Sequence, residues 1–242
     1  MSPHTFIGTS GWNYPHWAGI LYPERGPRSK WLQLYGEHFD TVEVNATFYR
    51  LPKPETFEKW RTGTPEGFLW AVKASRYITH IKKMRDAGDP LNRFLDAAEG
   101  LGQKLGPLLF QLPPSLVFDG NRFRAFCAEL GKRDHRYTVE VRHGSWLTDE
   151  ALEIMHEHNI ALCIADTAGR FPFHEHLTAD FVYVRLHGSR QLYVSSYTDT
   201  ELRDWADRIK TWNRDAYIYF DNDHEGKAPL NALQLKSLLI PQ

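Results

Sequence analysis

Residues 137–166 read YTVEVRHGSWLTDEALEIMHEHNIALCIAD, and this stretch contains the unit that decides the fold. It opens with a β-branched and aromatic run over 137–142, continues through a helical pattern over roughly 148–158, and returns to an aliphatic run over 160–166. A strand, a helix and a second strand in this order form a βαβ unit, whose two strands are parallel. The stretch therefore predicts a parallel sheet with helices packed against it.

The same alternation recurs along all 242 residues. The strand candidates are Phe6–Ser10, Thr41–Asn45, Phe68–Ser75, Pro107–Leu112, Tyr137–Arg142, Ile160–Asp166, Phe181–His187 and Ala216–Asn222. The helical patterns between them run roughly over 29–38, 54–62, 91–103, 121–130, 148–158, 198–212 and 227–239. Strict alternation in a chain of this length predicts an α/β protein with one domain over 1–242, a (β/α)₈ barrel of the TIM type with parallel strands. A flavodoxin-like or Rossmann sheet is the alternative.

Composition and charge exclude several classes of protein. A net charge of −1 argues against the broad basic surface of a general duplex-binding protein. No stretch approaches the ~20 apolar residues that span a bilayer, and the opening residues MSPHT lack the features of an export signal. The only cysteines, Cys127 and Cys163, lie inside apolar elements. We therefore expect a cytoplasmic protein with no disulfide framework and no membrane association.

Polar residues cluster where the predicted strands end. Because side chains alternate between the interior of a barrel and its helix layer, those near a strand end that face inward should converge. Three inward-facing pairs are expected, together with single residues at other strand ends: Glu43 with Asn45, Glu140 with Arg142, Arg185 with His187, and Lys73, Gln111, Asp166 and the run Asp221-Asn222-Asp223. Active sites of such barrels lie at this end.

Two explanations of this polar cluster remain open. Burying unpaired charges costs several kcal/mol per ion, so a barrel selected for stability alone gains nothing from assembling them. This argument favours a functional cleft. In the alternative interpretation, the same residues form an internal salt-bridge network that only closes the top of the barrel.

Aromatic residues surround the predicted cleft, largely on loops after strands. Those considered as ligand contacts are Trp12, Tyr14, Tyr49, Trp146 and Tyr193, with Trp17, Tyr22, Phe48 and Tyr197 nearby. Such rings could stack on a planar or sugar-like ligand, or they could simply pack loops onto the rim. The run His174-Glu175-His176 has only weak metal-site character, so the sequence implies no metal and no cofactor.

Several short strings, taken in order, resemble the YecE-like family, also known as domain of unknown function 72. The strings are Gly8-Thr9-Ser10-Gly11-Trp12, Val42-Glu43-Val44-Asn45, Gln111-Leu112-Pro113-Pro114, Glu140-Val141-Arg142-His143, Arg185-Leu186-His187-Gly188 and Asn222-Asp223. The resemblance spans essentially the whole chain and implies a barrel fold, but it supplies no reaction. The sequence departs from the family pattern at Ala46, where serine is common, and at Asp221, where asparagine is common.

The leading functional hypothesis is an acid–base enzyme, of hydrolase or lyase type, that acts on an anionic small molecule such as a phosphorylated or nucleotide-like compound. Arg142, Arg185 and Lys73 would hold the anion, and Glu43, Glu140 and His187 would carry protons. Asn45, Asn222 and Asp223 would complete the ligand contacts. An anion is therefore expected near Arg142 or Arg185.

Three other hypotheses use the same residues. A glycosidase-like hydrolase would use Glu43 and Glu140 as its carboxylate pair. A non-catalytic module would bind single-stranded nucleic acid through the arginines and aromatic rings, although the neutral charge argues against it. In the third, Lys73 would form a Schiff base, with its pKa lowered by neighbouring cations.

Overall fold

The computed structural model describes residues 3–239, so the outermost ends of the predicted 1–242 domain lie outside the described residues. The strands are β1 Thr5–Thr9, β2 Thr41–Val44, β3 Leu69–Lys73, β4 Leu105–Gln111, β5 Tyr137–Glu140, β6 Ile160–Leu162, β7 Ile164–Asp166, β8 Phe181–Leu186 and β9 Asp215–Phe220. The α-helices are α1 Trp31–Gly36, α2 Ala46–Tyr49, α3 Pro54–Thr62, α4 Gly88–Ala98, α5 Gly120–Leu130, α6 Asp149–Glu157, α7 Asp199–Thr211 and α8 Lys227–Leu239. A π-helical turn spans Tyr77–Ile81, and 3₁₀ turns span Pro15–Trp17, Arg28–Lys30, Glu99–Lys104, Gly144–Trp146 and His224–Gly226.

All paired strands are parallel, which confirms the predicted α/β architecture. They form a four-stranded sheet in the order β1-β9-β8-β7 and a five-stranded sheet in the order β2-β3-β4-β5-β6. One isolated bridge, Ser10 to Glu43, joins the two sheets on one side, and on the other β6 and β7 follow each other with only Cys163 between them. The fold is thus barrel-like, but the predicted continuous eight-stranded closure is not seen, because the predicted sixth strand is divided at Cys163.

Side chains of each strand alternate between two apolar layers. In β8, Val182, Val184 and Leu186 belong to the layer shared with the helices. Phe181 and Tyr183 point the other way, into an inner layer that also holds Ala71, Leu109, Ala161, Cys163, Ala165, Ala179, Tyr217 and Tyr219. This alternation fixes the direction of every polar residue that follows on the same strand.

The capping and apolar patterns that predicted helices from the sequence are present in the structure. Helix α7 begins with a capping box, in which the side chains of Thr198 and Glu201 each accept from the other residue's backbone N–H. Leu202, Trp205 and Ile209 form its buried stripe.

Cys127 and Cys163 are buried free thiols. None of the helices described over 3–239 combines the length and the apolar character needed to cross a membrane.

Candidate functional site

Three charged side chains meet in the interior at the C-terminal ends of the strands. Glu43 lies on β2, Glu140 on β5 and Arg185 on β8, and each is at most 1% exposed. Their direction follows from the alternation described above, since Arg185 stands two residues after the inward-facing Tyr183. The predicted convergence of these strand ends is therefore present.

Glu43 is saturated with hydrogen-bond donors. Oε1 accepts from Ser10 Oγ at 2.7 Å, from Asn45 Nδ2 at 3.1 Å and from Arg185 Nη2 at 2.8 Å. Oε2 accepts from the Tyr183 hydroxyl at 2.7 Å and from Arg185 Nε at 3.0 Å. Glu43 therefore has donors on both oxygens and no solvent exposure, so neither oxygen is open to a ligand.

Glu140 is bound in the same manner by residues of neighbouring strands. Gln111 Nε2 donates to both of its oxygens at 2.9 Å, Arg142 Nε donates to Oε1 at 2.9 Å, and Arg185 Nη1 donates to Oε2 at 2.7 Å. Burial alone would raise the pKa of Glu140, but the charges of Arg185 and Arg142 outweigh it and hold the pKa well below its usual range. The carboxylate is therefore ionised at neutral pH.

The guanidinium of Arg185 is fully used inside the protein. Besides Glu43 and Glu140, it donates through Nη2 to Oδ2 of Asp221 at 3.1 Å. Burial raises the pKa of Asp221, but the charge of Arg185 and the contact with His187 lower it by a larger amount, so the net shift of the pKa is downward. Arg185, predicted as a ligand contact, thus has three carboxylates around it. It lies below the solvent-facing end of the cluster, which we call the mouth of the site.

His187 lies deep within the same cluster. Its Nε2 is 3.4 Å from Arg185 Nη1, which donates to it. Its Nδ1 lies 2.9 Å from Asp221 Oδ2 without forming a hydrogen bond of regular geometry. The ring is completely buried, which gives this predicted proton carrier no open path to a ligand.

Lys73 differs from the other charged residues because its ammonium has no partner. It ends β3 on the inward face and is 8% exposed. Within residues 3–239 no carboxylate lies within 4 Å of Nζ and no hydrogen bond is formed; Nζ instead lies 4.5 Å from the ring centroid of Phe48. Burial, followed by the charge of Arg185, lowers the pKa of Lys73 to about 8.

Arg142 also presents unused donors. Its Nε is bound to Glu140, and its guanidinium lies 4.5 Å from the ring centroid of Phe171. Among the described residues neither Nη atom donates to a carboxylate; the Tyr193 hydroxyl lies nearby, and the side chain is 13% exposed. Burial and the charges of Lys73 and Arg142 lower the pKa of His80 to about 4. Lys73, Arg142 and His80 therefore share one mouth.

Two residues predicted from the end of the last strand point elsewhere. Tyr217 and Tyr219 face inward on β9, so the next inward residue is Asp221 and not Asn222. Asn222 donates to Asn231 Oδ1 at 2.9 Å and to Ser195 O at 3.1 Å. Asp223 accepts from Trp17 Nε1 at 2.7 Å. Both side chains hold loops in place and do not enter the cluster.

Asp166 also faces away from the predicted site, because it stands at an outward-facing position of its strand. It pairs in register with the outward-facing Leu186, and its Oδ2 accepts from the Tyr197 hydroxyl at 2.9 Å. Its place as a carboxylate beside Arg185 is taken by Asp221.

The predicted aromatic contacts divide into packing residues and rim residues. Trp146 is buried and donates to Leu116 O at 2.8 Å, and Trp12 packs edge-on against Trp60 and Trp70. These two rings fill the space between strands and helices.

The remaining predicted rings are nearer to solvent. Tyr14 donates to Ser10 O at 2.6 Å. Tyr193 is 41% exposed and meets His187 edge-on at 5.4 Å, so it lies at the mouth. Tyr49 is 75% exposed and contacts Phe48. Phe48, expected near the cleft, and Phe171, which was not predicted, are the rings against Lys73 and Arg142 respectively.

Sequence reasoning also missed Ser10 and Tyr183 as partners of Glu43. Tyr183 could have been found, because it stands two residues before Arg185 and must share its face. Within the part of the chain described, no group of three or more His, Cys, Asp or Glu side chains is arranged to hold a metal ion.

Comparison with known proteins gives three findings. A family model described as protein of unknown function DUF72 matches residues 6–242. The UPF0759 protein YecE of Escherichia coli (strain K12) is 25% identical over 256 residues, covering 93% of this chain and 88% of that protein. A crystal structure of a DUF72 family protein from Thermotoga maritima is 29% identical with a TM-score of 0.87, covering 98% of this chain and all of that one.

A more distant likeness concerns the fold alone. A D-psicose 3-epimerase, crystallised in the presence of D-fructose, matches with a TM-score of 0.53 at 12% identity over 88% of this chain and 92% of that one.

Proposed function

The chain belongs to the DUF72 family, and because that description assigns no reaction, we propose a function from the side chains at the mouth of the site: an acid–base enzyme acting on a small anionic molecule. Arg142 binds the anion and Lys73 exchanges the proton. Phosphorylated and nucleotide-like compounds are the candidate substrates. The barrel-like fold agrees with a site at the C-terminal ends of the strands.

One observation supports this proposal above the others, namely the contrast between Arg185 and Arg142. All three nitrogens of the Arg185 guanidinium are bound to carboxylates, whereas Arg142 binds a carboxylate only through Nε, and its two Nη groups have only the neutral Tyr193 hydroxyl nearby. Two parallel N–H donors match the geometry of a phosphate or carboxylate. The prediction of an anion near Arg142 or Arg185 thus narrows to Arg142.

The proton carrier is assigned by the same reasoning. Glu43 and Glu140 each accept hydrogen bonds from several donors and have no solvent access, so neither is placed to exchange a proton with a substrate. This also weakens the glycosidase hypothesis, which needs one protonated carboxyl group and space for a sugar between the two. Lys73 is at the mouth, and its pKa of about 8 lies close to neutral pH.

Calorimetric titration with inorganic phosphate, sulfate and adenosine monophosphate tests the anion site. Arg142→Gln should weaken binding about tenfold or more, because charge-assisted hydrogen bonds contribute roughly 1.5–3 kcal/mol. Arg170→Gln is the matched control, since Arg170 is exposed and lies 6.0 Å from the same Phe171 ring. Absence of binding by the parent protein, or equal binding by Arg142→Gln, would overturn the proposal.

A further inference from the structure

Lys73 is held in a fixed position at the end of its strand. The Thr47 hydroxyl of α2 donates to Lys73 O at 2.6 Å, and Lys73 pairs in register with the inward-facing Leu109 of β4. The chain then turns into the π-helical segment Tyr77–Ile81, which carries His80. The backbone of Lys73 is therefore fixed, and the amine can move only by rotation about the bonds of its side chain.

The surroundings of the amine lower its pKa to about 8, so its uncharged form is well populated just above neutral pH. Burial is the largest cause and the charge of Arg185 acts in the same direction, while Glu140, Glu43 and Asp221 oppose them. These three carboxylates are already bound to Arg185, and Arg142 and His80 lie at the same mouth. A lysine kept for charge balance would be paired with a carboxylate, because an unpaired buried ion is costly. Lys73 is not paired among the described residues.

An unpaired amine in such a place is suited to nucleophilic attack. The unprotonated nitrogen is the reactive form, and the Phe48 ring 4.5 Å from Nζ excludes water from one side. Arg142 stands at the same mouth with two Nη groups that bind no carboxylate. A substrate with an anionic group on Arg142 could therefore bring a second, neutral group to Lys73.

We propose that Lys73 forms an imine with a small aldehyde or ketone that carries a phosphate or carboxylate group. The inference rests on the proposed anion site only for the anchoring of the substrate, and it makes Lys73 the nucleophile in place of the proton carrier. The lone pair of Nζ forms a bond to the carbonyl carbon, and the π electrons of the C=O bond move to its oxygen. That oxygen gains one proton from the nitrogen and one from solvent and leaves as water. An amine, a carbonyl compound and one proton thus give an iminium ion and water.

The iminium ion determines the class of reaction that follows. Its positive nitrogen accepts the electron pair of an adjacent C–H or C–C bond, and hydrolysis later restores the amine. Proton transfer next to a carbonyl, or cleavage of the neighbouring carbon–carbon bond, are the reactions that this intermediate supports. No oxidant or reductant is consumed.

Reductive trapping tests the imine. The protein is incubated at pH 8 with glycolaldehyde phosphate, or with glycolaldehyde, in the presence of sodium cyanoborohydride, and adducts are located by mass spectrometry of peptides. The parent protein should be labelled first at Lys73, ahead of exposed lysines such as Lys53 and Lys59. Lys73→Met should lose that fast label and retain the slow labels elsewhere.

The two probes separate this inference from the anion site. Arg142→Gln should slow labelling of Lys73 by glycolaldehyde phosphate about tenfold and leave labelling by glycolaldehyde unchanged. Labelling of Lys73 at the same rate by both probes in the parent protein would support the imine and contradict the anion site. Labelling of Lys73 no faster than of Lys53, while calorimetry shows anion binding at Arg142, would overturn the imine alone.

Discussion

Arg185 and Glu43 lie in different sheets and are joined by hydrogen bonds from Nε at 3.0 and 3.2 Å and from Nη2 at 2.8 Å. The backbone connection between these sheets is sparse, with one isolated bridge at Ser10 and Glu43. Arg185 also binds Glu140 of the five-stranded sheet. The guanidinium therefore links the two sheets from inside, together with the hydrogen bonds of Tyr183 to Glu43 and of Thr41 with Tyr219.

Arg185→Met should destabilise the protein by about 3–5 kcal/mol, because it leaves Glu43 and Glu140 as buried charges without their main partner. Urea unfolding at pH 7 measures this loss. Arg185→Lys should also be clearly destabilising, since one ammonium cannot reproduce the contacts of a planar fork. A loss below about 1 kcal/mol in the methionine variant would contradict the internal link.

Lys73→Met should stabilise the folded protein at neutral pH, which is the reverse of what loss of a structural salt bridge would give. Folding lowers the pKa of Lys73 from 10.5 to about 8, so the folded state disfavours the charged amine. The contribution to stability is fully present above pH 10.5 and is lost as the pH falls through about 8. The difference is on the order of 3 kcal/mol.

Urea unfolding of the parent protein and of Lys73→Met at pH 7 and pH 10 measures this effect. The parent should gain stability relative to the variant on going from pH 7 to pH 10, whereas the variant lacks this titration. A constant difference between the two proteins would show that Lys73 has an ordinary pKa.

Glu140→Gln should flatten the acid side of the stability profile. Arg185 and Arg142 hold the pKa of Glu140 well below 4.5, so its contribution is present above about pH 4.5 and is lost as the pH falls further. Unfolding measured from pH 7 to pH 3 should show a smaller loss in the variant than in the parent. Glu153→Gln, on the exposed side of α6, is the control and should follow the parent.

The period-two pattern of the strands predicted the central part of the site. It placed Glu43, Glu140 and Arg185 on inward faces, and this follows from strand geometry alone. At two strand ends the sequence does not fix which residue faces inward: Asp166 and the run Asp221-Asn222-Asp223 are all expected in the cluster, but only Asp221 enters it. Registers shown by Ala165 with Arg185 and by Tyr219 with Arg185 correct both.

What the sequence could not supply is which of the two arginines binds both glutamates. Arg185 and Glu43 are 142 positions apart, and Arg185 and Glu140 are 45 apart. The choice of Arg185 over Arg142 as their shared partner depends on how three strands meet. The same limit applies to Trp146, since a tryptophan beside a strand end can point toward the mouth or under a loop.

Asn222→Ala tests whether Asn222 supports the fold or binds the ligand. Asn222 is buried and donates to Asn231 Oδ1 and Ser195 O, so the substitution removes two hydrogen bonds near the loop that follows β8. The expected cost is about 1–3 kcal/mol of unfolding free energy. Asn231 Oδ1 keeps its hydrogen bond from Tyr197 N at 3.0 Å, which limits the loss of stability.

Because Asn222 does not touch Arg142 or Lys73, phosphate affinity should stay within about twofold of the parent value. Calorimetry at 15 °C, below the unfolding transition of the variant, measures that affinity. A tenfold loss of phosphate binding in a folded Asn222→Ala protein would return this residue to the ligand site.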